Sequence, residues 1–135
     1  MLQKLHIQNY AIISELEIDF SGKLNIITGE TGAGKSILMG ALSLILGERA
    51  DSSVLQQKDK KAVIEGIFNA MNKKSIRDFL NDNELDAGEE LMIRREIAAN
   101  GKSSAFVNDT PVNLSQLSKL GSLLVDLHQQ FDTLE

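Results

Sequence analysis

Apolar and acidic residues alternate where Leu16, Ile18 and Phe20 interleave with Glu15, Glu17 and Asp19. A period of two predicts a strand with one face buried and one in water. An earlier strand is expected over Leu2 to Gln8, joined to the next through Asn9-Tyr10-Ala11. After a turn at Ser21-Gly22-Lys23, the run Leu24-Asn25-Ile26-Ile27 is short and mostly apolar, as suits a buried strand. Ile37 to Leu46 is almost wholly apolar or small and is followed by Gly47, which predicts a helix buried on several sides and ended by glycine. A polar loop, Glu48 to Lys61, leads to a strand over Ala62 to Phe68. Beyond it, Lys73 to Asn83 sets Ile76, Phe79 and Leu80 at helical spacing among charges, the mark of an amphipathic surface helix.

Further along, Asn100-Gly101 separates Leu91–Ala99 from Ser103–Asn108 and predicts a hairpin with a two-residue turn. Leu114 to Leu120 reads as a short helix with Asn113 as its cap and Gly121 as its stop. Leu123-Leu124-Val125-Asp126 reads as a last buried strand, from which Leu127 to Glu135 trails off. No heptad pattern is sustained, so no coiled coil is expected in this stretch. Together these elements predict an α/β fold and a single unit over residues 1–135. A helix packs on a sheet, and a β-rich lobe forms from the first strands and the Asn100-Gly101 hairpin.

Composition narrows the classes further. The chain has 135 residues, 42% apolar and 24% charged, too apolar for a disordered segment. Aromatics make up 4% and Trp is absent, so the core must be built from Leu, Ile and Val. Without cysteine there is no disulfide framework and no Cys-based zinc site. No apolar run reaches the roughly 20 residues that cross a bilayer. The first ten residues break their apolar run with Lys4, His6 and Asn9, unlike a signal peptide, so a cytoplasmic protein with no membrane partner is expected. A net charge of −5 gives no electrostatic case for nucleic acid.

The strongest chemical signal is Gly29-Glu30-Thr31-Gly32-Ala33-Gly34-Lys35-Ser36, a full match to the phosphate-loop pattern G-x-x-x-x-G-K-[ST]. Glycines let main-chain N–H groups approach an anion closely, and the N-terminus of the following helix adds its dipole. Lys35 is expected to set its ammonium on the β- and γ-phosphates and Ser36 to ligate Mg²⁺. The loop follows a short apolar strand and opens an apolar helix, the context this motif requires. No G-x-G-x-x-G occurs, which disfavours a dinucleotide domain.

The motif sits in a frame of Leu5-His6-Ile7-Gln8-Asn9-Tyr10, Leu16-Glu17-Ile18-Asp19-Phe20 and Leu24-Asn25-Ile26-Ile27-Thr28-Gly29. This frame resembles the opening of ATPase heads in the structural-maintenance-of-chromosomes (SMC) and ABC group. Gly47-Glu48-Arg49-Ala50-Asp51, Leu91 to Ile97, Ser104 to Asn108 and Leu124 to Gln130 are similar to a bacterial DNA-repair branch of that group. The resemblance implies the N-terminal portion of a P-loop NTPase head, an α/β fold with an antiparallel β-rich lobe. In such a protein ATP binding and hydrolysis, with Mg²⁺, control engagement of two head copies on DNA during double-strand-break repair and recombination. It also implies a nucleoid-associated location, a chain that continues into a coiled coil, and a later signature segment and acidic motif. In the family a glutamine after the last strand contacts the metal or the attacking water. The pattern His-x-Gln puts that role on Gln130, although Gln129 stands where glycine is expected.

Other residues carry weaker alternatives. Asp126 ends an apolar run as a magnesium-supporting acid would, but Leu127 follows it in place of Glu, and a plain strand-end residue is favoured. Arg49 reaches phosphates or DNA in related heads, with a solvated surface residue the equal alternative. Lys58, Lys60 and Lys61 form a basic cluster that reads best as a solvated loop. His6 and His128 lack ligand partners and read as strand or loop residues. Arg94 and Arg95 fall on opposite faces of their strand, so only one of them faces solvent. Two further functions stay open: a nucleotide-gated interaction module without hydrolysis, and a small P-loop kinase. The kinase would need an Arg-rich lid where this chain has a β-rich second half.

Overall fold

A computed structural model of the chain describes residues 2–20 and 32–133. Its centre is a six-stranded sheet in the order β2-β1-β3-β4-β5-β6, antiparallel at every pairing. The strands are β1 (Leu2–Tyr10), β2 (Ile13–Asp19), β3 (Ala62–Phe68), β4 (Leu91–Ile97), β5 (Ser103–Val107) and β6 (Thr110–Val112). Helices α1 (Gly32–Ile45), α2 (Lys74–Asp82) and α3 (Leu114–Thr133) accompany it. The expected run Leu24–Ile27 lies outside the described residues.

Period-two alternation decides which face is covered. In β1, β3 and β4 every second residue is buried, including Leu5, Ile7, Ile64, Ile93 and Ile97. Against that face α1 lays Leu38, Ala41, Leu44 and Ile45, and α3 lays Leu117, Leu120 and Leu124. α2 buries Ile76, Phe79 and Leu80 and packs on α3, as its charge pattern predicts. Burying each such aliphatic side chain contributes about 1.5–3 kcal/mol, so this one layer of contacts supplies most of the driving force.

Four sequence expectations change in the fold. β1 runs on through Asn9 and Tyr10 rather than ending at Gln8. The helix over Ile37 to Leu46 begins earlier, at Gly32, where a glycine-rich stretch gives no helical signal of its own. The Asn100-Gly101 hairpin exists, but its loop is one residue longer. Gly101 N–H donates to the Ala98 carbonyl (2.8 Å), Ala98 N–H to that of Lys102 (2.7 Å), and Gly101 has φ of 91°. That is a turn followed by a glycine bulge, whereas a tight two-residue turn sits at Asn108-Asp109, with φ of 48° and 70°.

The largest correction concerns the C-terminal segment. Gly121 does not stop a helix, and Leu123 to Asp126 is not a strand. α3 continues unbroken from Leu114 to Thr133 and takes in Asp126, His128, Gln129 and Gln130, which therefore do not lie at a strand end or in a loop. A four-residue apolar run cannot by itself be told from one face of a buried helix. Gly121 serves packing instead, since a Cβ there would collide with the Leu46 carbonyl at the end of α1. The cap is as expected: Asn113 Oδ1 accepts from Gln116 N–H at 2.7 Å, and Gln116 Oε1 accepts from Asn113 N–H at 3.0 Å.

Candidate nucleotide site

Gly29, Glu30 and Thr31 lie outside the described residues. From Gly32 the backbone is helical, so α1 opens inside the phosphate-loop motif and carries Gly32, Ala33, Gly34, Lys35 and Ser36 in its first turns. The first N–H groups of a helix have no intrahelical acceptor and sit at the positive end of its dipole. The motif therefore coincides with an anion-receptive helix end. Ser36 is exposed, and Met39 shares its side of the helix at 58% exposure, whereas Leu38 and Ala41 turn into the core.

The rest of α1 is held at several points. The Tyr10 hydroxyl lies 2.6 Å from where a Gly40 Cβ would stand, so a bare glycine admits the ring against the helix. Burial raises the Tyr10 pKa above its ordinary 10.0. At the far end Gly47 adopts φ of 107°; its N–H donates to the Leu44 carbonyl (3.2 Å) and the Glu48 N–H to that of Ser43 (3.1 Å). This pair of bonds closes the helix C-terminus in a Schellman arrangement. Arg95, fully buried, adds hydrogen bonds to the Leu44 and Glu48 carbonyls at 2.6 and 2.8 Å.

Several other predicted residues fall into structural roles. Arg94 faces the open side of the sheet, ion-paired with Glu96 (3.2 Å), Asp109 (3.4 Å) and Glu65 (3.7 Å) and stacked over Phe106. Lys58 donates to the Ser52 and Ser53 carbonyls and Lys61 pairs with Glu96, so two of the three lysines in that loop are engaged within the chain. Arg49 is exposed just beyond α1. His6 pairs with Glu15 at 3.1 Å across the first hairpin. Sequence reasoning missed Tyr10, Arg95 and Gly121 as supports of α1. The one available signal was a charged residue at an inward position between Ile93 and Ile97.

An antiparallel sheet backed by helices, with a phosphate-loop motif at the start of the central helix, defines the N-terminal portion of an SMC/ABC-type P-loop head. The chain belongs to the AAA domain family, whose model matches residues 4–134. Among individual proteins it is 45% identical over 130 residues to the DNA repair protein RecN of Vibrio cholerae, covering 96% of this chain and 24% of that protein. To RecN of Bacillus subtilis it is 39% identical over 133 residues, covering 98% of this chain and 23% of that one. The chain thus spans about a quarter of the length of the curated relatives it matches. The expected likeness to a bacterial DNA-repair branch holds.

Solved structures agree on the fold. An SMC ATPase studied for ATP-driven dimerization and DNA-stimulated activation superposes with a TM-score of 0.67 at 23% identity, covering 88% of this chain and 76% of that one. The recombination mediator RecF in its ATP-analogue complex gives 0.63 at 18% identity, covering 87% and 29%.

Proposed function

We propose that this chain is the ATP- and Mg²⁺-binding part of an SMC-like ATPase acting in DNA double-strand-break repair and recombination. The observation that carries this reading is the opening of α1 at Gly32, within the phosphate-loop motif, on a helix whose other end is fixed to the sheet. Main-chain N–H groups of a glycine-rich first turn, one ammonium and one hydroxyl are the donor set that a magnesium triphosphate requires. Gly29, Glu30, Thr31, Gly32, Ala33 and Gly34 line the cradle, Lys35 binds the β- and γ-phosphates, and Ser36 holds the metal. When bound, Mg²⁺ supplies charge neutralisation at those phosphates. The resemblance gives Gln130 the role of reaching the metal or the attacking water, here from α3 rather than from a loop after a strand.

In the whole protein, ATP binding and hydrolysis control engagement of two head copies on DNA. The 45% identity to a DNA repair protein and the fold shared with SMC heads support this assignment. Among the described residues no helix is long and apolar enough to cross a membrane, and a cytoplasmic, nucleoid-associated location follows from the same reading. The chain spans about a quarter of the length of its relatives and is expected to bind ATP without efficient turnover. Uniform ground-state binding does not lower a chemical barrier.

Titration of fluorescent ATP into the wild-type chain and Lys35→Ala tests the site. Lys35→Ala should abolish or severely weaken binding, because the cradle loses its motif cation; equal affinities would remove the phosphate-loop assignment. Phosphate release by the wild-type chain should not exceed that of Lys35→Ala. Rapid release would point instead to a self-sufficient NTPase.

A further inference from the structure

Arg95 is a buried ionisable group that lies outside the phosphate-loop motif. It takes an inward position of β4 between Ile93 and Ile97 and is fully buried. Its hydrogen bonds run to carbonyls and a hydroxyl rather than to a carboxylate. Nη1 donates to the Leu44 carbonyl at 2.6 Å and to the Glu48 carbonyl at 2.8 Å, and Nη2 donates to Ser103 Oγ at 2.6 Å. Nε has no partner. Leu44 and Glu48 lie on either side of the glycine that closes α1, so the guanidinium sits at the negative end of the helix dipole.

Burying a cation in this way is costly, and burial lowers its pKa from the ordinary value, although a guanidinium stays protonated. A core that needed only volume here would be served as well by Met or Leu. Directional bonds to two carbonyls at one helix end are what an apolar residue cannot supply. They add to the steric contacts at Gly40 and Gly121, which limit how closely the helix is approached without orienting its end.

We propose that Arg95 is a positioning residue for the phosphate loop, clamping the exit of α1 to β4. Because a helix is stiff, fixing its last turn sets where its first turn presents N–H groups to the nucleotide phosphates. This inference rests on the ATP-binding reading of α1.

The test uses the full 135-residue chain and the variants Arg95→Met and Arg95→Lys. Hydrogen exchange is measured across residues 36–48 without nucleotide, and affinity is measured with a fluorescent ATP analogue and Mg²⁺. Arg95→Met should keep its circular dichroism spectrum, lose protection through α1 and bind the analogue about tenfold more weakly, as expected for lost charge-assisted bonds. Arg95→Lys, whose ammonium can reach the carbonyls without also reaching Ser103, should fall between the two. Ile76→Ala, in the α2 helix that packs on α3, should lose stability yet bind normally at equal folded fraction. Wild-type protection and affinity in a folded Arg95→Met would overturn the proposal. So would unfolding of both Arg95 variants, which would make the residue purely structural. If the wild-type chain binds no ATP, the nucleotide reading fails instead, and the exchange data still decide whether Arg95 holds α1.

Discussion

Asn9 offers a sharp test of how the first strand organises the loop beyond α1. It is the penultimate residue of β1, lies in the left-handed region with φ of 57°, and is 8% exposed. Its Nδ2 donates to the carbonyls of Gln57 (3.1 Å), Lys60 (3.0 Å) and Lys61 (3.2 Å), while Oδ1 accepts from Gln57 N–H at 2.7 Å. One amide thus closes the loop that leads into β3. Asn9→Ala removes all of these bonds and leaves the Gln57 N–H and the Lys60 and Lys61 carbonyls without them, worth about 1–2 kcal/mol once water has reached the outermost carbonyls. Alanine in the left-handed region adds about 1 kcal/mol. The expected loss is therefore about 2–3 kcal/mol, a large share of the roughly 5–15 kcal/mol that holds a typical domain together. Asn9→Gly relieves the backbone part alone and should lose about 1 kcal/mol less. Urea unfolding followed by far-ultraviolet circular dichroism measures both, with hydrogen exchange reporting on residues 56–61. A loss under about 0.5 kcal/mol for Asn9→Ala would refute the clasp, since surface changes fall in that range. Asn9→Gly less stable than Asn9→Ala would refute the strain argument.

Other consequences can be checked directly. Gly121→Val places side-chain atoms on the Leu46 carbonyl and should cost about 1–3 kcal/mol in thermal or urea unfolding; a neutral substitution would contradict the packing of α3 on α1. Tyr10 is the chain's one tyrosine and Trp is absent, so tyrosinate absorbance reports on it cleanly. Its folded pKa is raised, so its contribution to stability is fully present below its unfolded value near 10.0 and is lost as pH rises through the higher folded value. The native midpoint should therefore exceed that in urea, and an equal or lower one would place the ring in solvent.

What local pattern could determine, the sequence determined well. β3 spans Ala62–Phe68 as its alternation predicts, α2 buries the Ile76, Phe79 and Leu80 stripe, and Asn113 caps its helix through a bond three residues away. The phosphate loop is a local motif too, and α1 does start within it. Periodicity reports which side of an element is apolar, because that depends on neighbours in the chain. It is silent on which distant surface that side meets. Only the tertiary structure decided that Arg95 reaches carbonyls 51 and 47 residues earlier and that Asn9 clasps a loop 48 to 52 residues away. It decided as well that Gly121 admits the end of α1 where the chain alone suggested a helix stop. Leu123 to Asp126 belongs with these cases. An apolar run that short satisfies strand and helix equally, and its place in a helix was decided by the longer element packing Leu117, Leu120 and Leu124 into one core.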